Sequence, residues 1–254
     1  MRKPLILITN DDGVNAAGIS ALTNAMARIG DVVVVAPDRP RSGKSSAITP
    51  DKPIRLSLRK EYENVKIYAC SGTPTDCVKM SINQILDRRP DLLVSGINHG
   101  PNTAISVIYS GTMGAALEGC INDIPSIGFS LCHYECDSDF EQAATFAESM
   151  ARKVLENGLP KGVCLNANIP GRLPKGVRLC HQTDGKWVEE FIKRTDPAEH
   201  DYYWLSGHYE NNEPENEHSD EWAVANNYIA VVPCKIDFTD YDFLNNYKKM
   251  NYDF

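Results

Sequence analysis

Apolar runs and segments of helical spacing alternate along the first two-thirds of the chain. Leu5-Ile6-Leu7-Ile8-Thr9 is continuous and reads as a strand buried on both faces. From Ala17 to Ile29 the positions Ile19, Leu22, Met26 and Ile29 follow a helical period, and Val32 to Ala36 is a second apolar strand. A polar loop runs from Pro37 to Thr49. Ile54 to Leu58 and Val65 to Cys70 alternate as strands around Tyr62-Glu63-Asn64, which predicts a hairpin. A helix is expected from Pro74 to Leu86, with Thr73 as its N-cap and Pro74 in its first turn. The pattern then predicts a strand at Leu92–Ser95, a small-residue helix at Ser110–Cys120, a strand at Ser126–Leu131, a helix at Phe140–Leu155 and a strand at Val163–Ala167. Strands alternating with helices imply an α/β fold with a doubly wound, mostly parallel sheet.

The texture changes after Pro170-Gly171. Strands are expected at Val177–His181 and Tyr228–Pro233, and a helix plus tail over Asp240–Phe254. Between them, Thr195 to Asp220 is polar and irregular, and the acidic run from Glu210 to Glu217 reads as solvated and mobile. Tyr202-Tyr203-Trp204-Leu205 is a concentrated apolar patch, read either as packing against its own domain or as a subunit interface. Residues 1–170 are expected to form the core and residues 171–254 a C-terminal extension, within one continuous domain.

The formal net charge of −8 over 254 residues, with no cluster of Lys and Arg, argues against a partner of polymeric nucleic acid. No stretch is long and apolar enough to suggest a membrane span, and the opening apolar run is too short for a signal peptide, so a cytoplasmic protein is expected. The eight cysteines form no Cys-x-x-Cys and mostly sit in apolar runs, where a thiol acts as a small hydrophobe. Cys132-His133-Tyr134-Glu135-Cys136 is the one soft-metal candidate, but it lacks a second ligand pair.

The chemistry concentrates in loops that follow predicted strands, the side on which open α/β sheets bind ligands. The first strand ends in Asn10-Asp11-Asp12-Gly13. These are turn formers, but two adjacent carboxylates repel, and hard cations such as magnesium, manganese and calcium prefer such oxygen ligands. The loop Pro37–Ser46 carries Arg39, Arg41, Ser42, Gly43, Lys44, Ser45 and Ser46, a composition suited to phosphate, although it is not a P-loop. Ser95-Gly96-Ile97-Asn98-His99-Gly100 offers the neutral carbonyl oxygen of Asn98; His99 reads as a general base or as an exposed loop histidine. Tyr109-Ser110-Gly111-Thr112 opens a helix, where free N–H groups attract anions, and Ser71–Asp76 makes a further strand-to-helix turn. A hard-cation site beside an anion site points to phosphoryl hydrolysis.

Five blocks in order, Asn10–Gly13, Ala36–Gly43, Ser71–Cys77, Ser95–Asn98 and Tyr109–Thr112, resemble those of the SurE family, the survival-protein E phosphatases or 5′/3′-nucleotidases. Weaker similarity continues at Asn166–Pro170, Thr195–Pro197, Tyr202–Leu205 and Tyr228–Pro233. The resemblance implies a Rossmann-like core and a C-terminal extension exchanged between subunits. It further implies a metal-dependent phosphatase of nucleoside monophosphates. The implied metal ligands are Asp11, Asp12, Ser42 and Asn98, for one Mg²⁺ or Mn²⁺ per subunit. Asp11 or Asp12 is expected to orient or deprotonate the attacking water. The expected phosphate contacts are Gly43, Ser45, Asn102, Ser110, Gly111 and Thr112. A homodimer or homotetramer is expected. The chain departs from the family's Asn-x-Gly-x-Asp at Asn102-Thr103-Ala104-Ile105-Ser106, where both the glycine and the acid are missing. Arg-Gly after Asp196-Pro197 is replaced by Ala198-Glu199.

Other classes fit less well. A phosphatase with an aspartyl nucleophile would carry Asp-x-Asp after the first strand. A zinc deacetylase would need histidines near Asp11, and a dinucleotide oxidoreductase Gly-x-Gly-x-x-Gly. A non-catalytic nucleotide-binding module remains the alternative outside enzymes.

Overall fold

The computed structural model describes residues 2–133, 139–246 and 249. The first half of the chain forms β1 (Leu5–Thr9), α1 (Ala17–Ala27), β2 (Asp31–Pro37), β3 (Leu56–Tyr62), β4 (Val65–Cys70), α2 (Pro74–Met80), β5 (Leu92–His99), α3 (Ser106–Tyr109) and α4 (Gly111–Ile121). It continues through β6 (Ser126–Cys132), α5 (Glu141–Asn157), β7 (Val163–Pro170), β8 (Val177–Leu179), β9 (Gly185–Val188), β10 (Phe191–Thr195), β11 (Asp201–Leu205), β12 (His208–Asn211), α6 (Asp220–Ala225), β13 (Ile229–Lys235) and α7 (Tyr241–Asn246).

Nine strands make one sheet in the order β3-β4-β2-β1-β5-β6-β7-β13-β8. The ladder from β4 to β7 is parallel; β3 joins β4 and β13 joins β7 antiparallel. Successive β1 residues alternate between faces. Ile6 and Ile8 pack with Ile19, Leu22 and Met26 of α1 and the alanines of α5. Leu5 and Leu7 pack with Cys77 and Val78 of α2 and Ala115 of α4. Helices on both faces explain why β1 and β2 show no polar alternation. The chain enters the sheet at β1, builds outward through β2 and β4, and returns to the other side of β1 as β5. The carboxyl ends of β1 and β5 therefore flank the point where the winding reverses, the place where such sheets open a crevice.

Several expectations need correction. The first hairpin strand runs to Tyr62, so the turn is confined to Glu63-Asn64, with Glu63 at positive φ. The helix from Pro74 gives way at Ser81 to a π-helical turn, Ser81–Ile85. The strand from Leu92 continues through Asn98 to His99, with a bulge opposite β6 between Ser95 and Asn98. The region after Thr195 is more regular than its composition suggests. β10 pairs with β11, and outside that hairpin β9 pairs with β12. The acidic run is not wholly solvated. Glu213 accepts hydrogen bonds from the Asp184 N–H (2.9 Å) and Asn216 Nδ2 (2.5 Å) and contacts His181 Nε2 at 2.8 Å. The Asp184 amide leads these contacts in holding the Glu213 carboxyl down at about 2. The patch at Tyr202–Leu205 lies on exposed β11; Trp204 keeps 65% and Leu205 71% of its surface. The second cysteine of Cys132–Cys136, and most of the chain after Asn246, lie outside the described residues.

Candidate active site

β1 delivers its chemistry through a tight turn. Asn10 Nδ2 donates to the Gly13 carbonyl (3.0 Å) and Asn10 Oδ1 accepts the Gly13 N–H (3.1 Å), so Asn10 staples the turn and holds the two aspartates at its crest. Asp11 is buried against the start of α4, where Thr112 Oγ1 donates to Asp11 Oδ1 at 2.5 Å. α4 can approach this closely only because residue 111 is glycine. A Cβ there would stand 2.8 Å from Asp11 Cβ. Asp12 Oδ2 accepts the His99 N–H at 3.2 Å, which ties the β1 turn to the end of β5.

The two carboxylates titrate abnormally. Burial pushes Asp11 up to about 6, opposed by the Thr112 hydroxyl and reinforced by the Asp12 charge. Burial also raises Asp12, opposed by the His99 N–H and by the His99 charge. Among the described residues no lysine or arginine forms an ion pair with either aspartate; the charge of His99 acts on Asp12. Two adjacent carboxylates, both raised by burial and unpaired with lysine or arginine, suit a divalent cation.

The bulge in β5 brings Asn98 to the same place. Its Nδ2 donates to the Gly100 carbonyl (2.8 Å), which leaves Oδ1 without a donor among the described residues. Ser42 and Gly43 reach the site from the loop after β2, held because Arg41 N–H donates to the Asp11 carbonyl (2.7 Å) and Arg41 Nη2 to the Ser71 carbonyl (2.5 Å). The Ser71–Asp76 turn does not reach the site; it braces this loop. Thr73 Oγ1 donates to the Ala47 carbonyl, and Asp76 accepts from the N–H and hydroxyl of Thr49.

Asp11, Asp12, Ser42, Gly43, Asn98, Asn102 and Ser110 thus line one cavity of about 540 Å³. The other expected residues lie around it. Ser45 turns away: its N–H donates to the Tyr109 carbonyl and its hydroxyl to the Ile108 carbonyl. Gly111 and Thr112 stand behind Asp11 instead of on the cavity surface. Ser110 caps α4, accepting the Met113 N–H at 3.1 Å. Asn102 is held on three sides. It donates to Asn168 Oδ1 and Ser130 Oγ and accepts from Asn166 Nδ2, each at 2.8 Å. The atypical Thr103–Ser106 segment is fixed from the extension. Asp220, nearly fully buried, accepts the Ala104 N–H (2.9 Å) and the Thr183 hydroxyl (2.6 Å), and Thr103 donates to Glu221.

The far wall comes from residues outside the sequence-predicted site. Trp187, Glu190, Leu205 and Ser206 line the same cavity, contributed by the hairpins of the extension. Trp187 is a lone aromatic in a polar stretch and gave no periodic signal. Among the described residues no three His, Cys, Asp or Glu side chains form a metal cluster. The oxygen-bearing groups gathered at the end of β1 are the two carboxylates with the neutral side chains of Asn98 and Ser42.

The family model described as survival protein SurE matches residues 6–189. The chain belongs to the SurE family. A Phocaeicola vulgatus protein named 5′-nucleotidase SurE is 46% identical, with 98% of this chain and 97% of that protein covered. A protein of the same name from Bacteroides fragilis is 49% identical, with 97% of each covered. One from Flavobacterium psychrophilum reaches 50% with 94% of each covered. Among solved structures, the SurE protein from Aquifex aeolicus superposes with a TM-score of 0.84 at 38% identity, covering 98% of this chain and 100% of that one. The family's mostly parallel sheet is therefore this chain's sheet.

Proposed function

We propose that the cavity between β1 and β5 hydrolyses nucleoside 5′-monophosphates, and 3′-monophosphates as further substrates, to nucleoside and phosphate with one divalent cation. The observation that carries the reading is the Asp11–Asp12 pair, both carboxyls raised by burial, beside Asn98 and Ser42 and with no lysine or arginine paired to either among the described residues. Asp11, Asp12, Ser42 and Asn98 would hold the cation, Mg²⁺ or Mn²⁺, through oxygen atoms. Such an ion supplies polarisation of a phosphoryl oxygen and activation of water. Thr112 fixes Asp11, and the His99 N–H fixes Asp12, so both carboxylates are oriented before substrate arrives. Whichever carboxylate oxygen faces the attacking water orients it and takes its proton. Gly43, Ser110 and Asn102 present backbone and side-chain donors to the phosphate from the loops around the cavity. Ser45, Gly111 and Thr112 support that arrangement from behind it.

No described helix is long and apolar enough to cross a membrane. We place the enzyme in the cytoplasm as a homodimer or homotetramer, with the exposed apolar β10–β11 hairpin as its association surface. The core is taken as residues 1–170 and the extension as 171–254 of one continuous domain, the extension returning β13 to the sheet beside β7.

The test is phosphate release from 5′- and 3′-nucleoside monophosphates in the presence of Mg²⁺ or Mn²⁺. Release from nucleotides is expected. Tight nucleotide binding with no release from any of them contradicts the enzyme reading and supports a binding module.

A further inference from the structure

The cavity has two unlike halves. Its floor is the polar set around Asp11 and Asp12; its wall, from the extension, is Trp187, Glu190 and Leu205. At about 540 Å³ it holds far more than a phosphate group. We propose that this wall is a nucleobase subsite that favours guanine; the inference rests on the phosphatase reading of the floor.

Trp187 supplies the platform. Its Nε1 donates to Ser106 Oγ at 3.4 Å, and its ring meets Tyr209 edge-on, with centroids 6.2 Å apart. These two contacts position the indole, while 38% of the residue's surface stays open. An aromatic face of this kind stacks any base. Ser106 stands where the family pattern carries an acid, so the departure in this loop coincides with the residue that anchors the indole.

Glu190 supplies the choice of base. Its side chain has no ion pair or hydrogen-bond partner among the described residues, and only its backbone carbonyl is engaged, by the Ser206 N–H. A carboxylate accepts two adjacent N–H donors. Guanine presents such a pair on one edge, N1–H and the N2 amino group. Adenine and cytosine each place a single amino group beside an acceptor that a carboxylate repels, and uracil flanks its one N–H with carbonyls.

The experiment measures kcat/KM for GMP, AMP and ribose 5-phosphate, which lacks a base. Wild type is expected to prefer GMP over AMP by about tenfold. W187A is expected to lower the ratio of GMP to ribose 5-phosphate turnover by about tenfold, with W187F restoring most of it. E190Q is expected to collapse the preference for GMP over AMP. Ribose 5-phosphate serves as the internal control for folding. If W187A leaves the first ratio unchanged, the platform is overturned; if E190Q leaves the second unchanged, the guanine assignment is overturned. Quenching of tryptophan fluorescence by GMP, lost in W187F, reads the subsite without turnover. Quenching without phosphate release would leave the subsite standing and remove the phosphatase reading instead.

Discussion

Thr112 Oγ1 donates to Asp11 Oδ1 at 2.5 Å and so joins the first turn of α4 to the end of β1. This hydroxyl, with backbone hydrogen bonds from Asp11 and Thr112, opposes the rise that burial imposes on the Asp11 carboxyl. T112V keeps the shape and removes the donor. It should lower kcat/KM by about 10- to 100-fold, the usual effect of removing a group that orients a metal ligand. T112S should recover most of the loss. Equal activity in T112V and wild type would show that Asp11 does not need this tie.

Gly111 is set by the same contact. A Cβ at this position stands 2.8 Å from Asp11 Cβ. G111A should therefore displace Asp11 or α4, costing about 1–3 kcal/mol of stability and most of the activity. Denaturant unfolding and phosphate release on the same preparation check both. A gain in stability, as expected for Gly→Ala in an unstrained helix, would contradict the packing.

The link between the extension and the Thr103–Ser106 segment predicts a pH dependence. Burial, aided by the Asp220 charge, raises Glu221 above its ordinary value of 4.5, against the Thr103 hydroxyl. A carboxyl raised in the folded state favours folding below the unfolded pKa, and that contribution is lost as pH rises through the folded pKa. E221Q, which cannot ionise, should gain stability relative to wild type as pH increases from about 4 to neutrality. Unfolding of both proteins across that range measures it. A constant difference would show that Glu221 titrates normally.

The exposed hairpin predicts an assembly effect. Ile192 and Trp204 are cross-strand partners on one face of β10–β11. Replacing both with lysine should dissociate the proposed homo-oligomer, read by sedimentation velocity, with circular dichroism unchanged. An unchanged sedimentation coefficient would move the interface elsewhere.

The core is legible in the sequence because β1, β2 and the first half of β5 are buried on both faces and read as apolar runs. β9 to β12 are not, because a hairpin with little buried surface has no apolar alternation to read. The start of α6 was visible in principle. Ser219 accepts the Trp222 N–H, with Asp220 and Glu221 in the first turn, but the helix is too short to show a period. Ser42 and Ser45 looked alike as loop hydroxyls. Their separation depends on the carbonyls of α3, a four-residue helix that composition does not announce. The wall built by Trp187 and Glu190 depends on how the extension folds back over the crevice, which no local pattern encodes.

We infer that Asp11 and Asp12 hold a cation required for phosphoryl hydrolysis. Phosphate release from a 5′-nucleoside monophosphate should be measured after EDTA treatment and again after Mg²⁺ or Mn²⁺ is restored, in wild type and in D11N. The expected result is no release with EDTA, recovery on adding metal to wild type, and at least a 100-fold deficit in D11N whose fold is intact, about the loss expected when a metal ligand is removed. Undiminished turnover in EDTA, or near-normal turnover by D11N with metal, would contradict it.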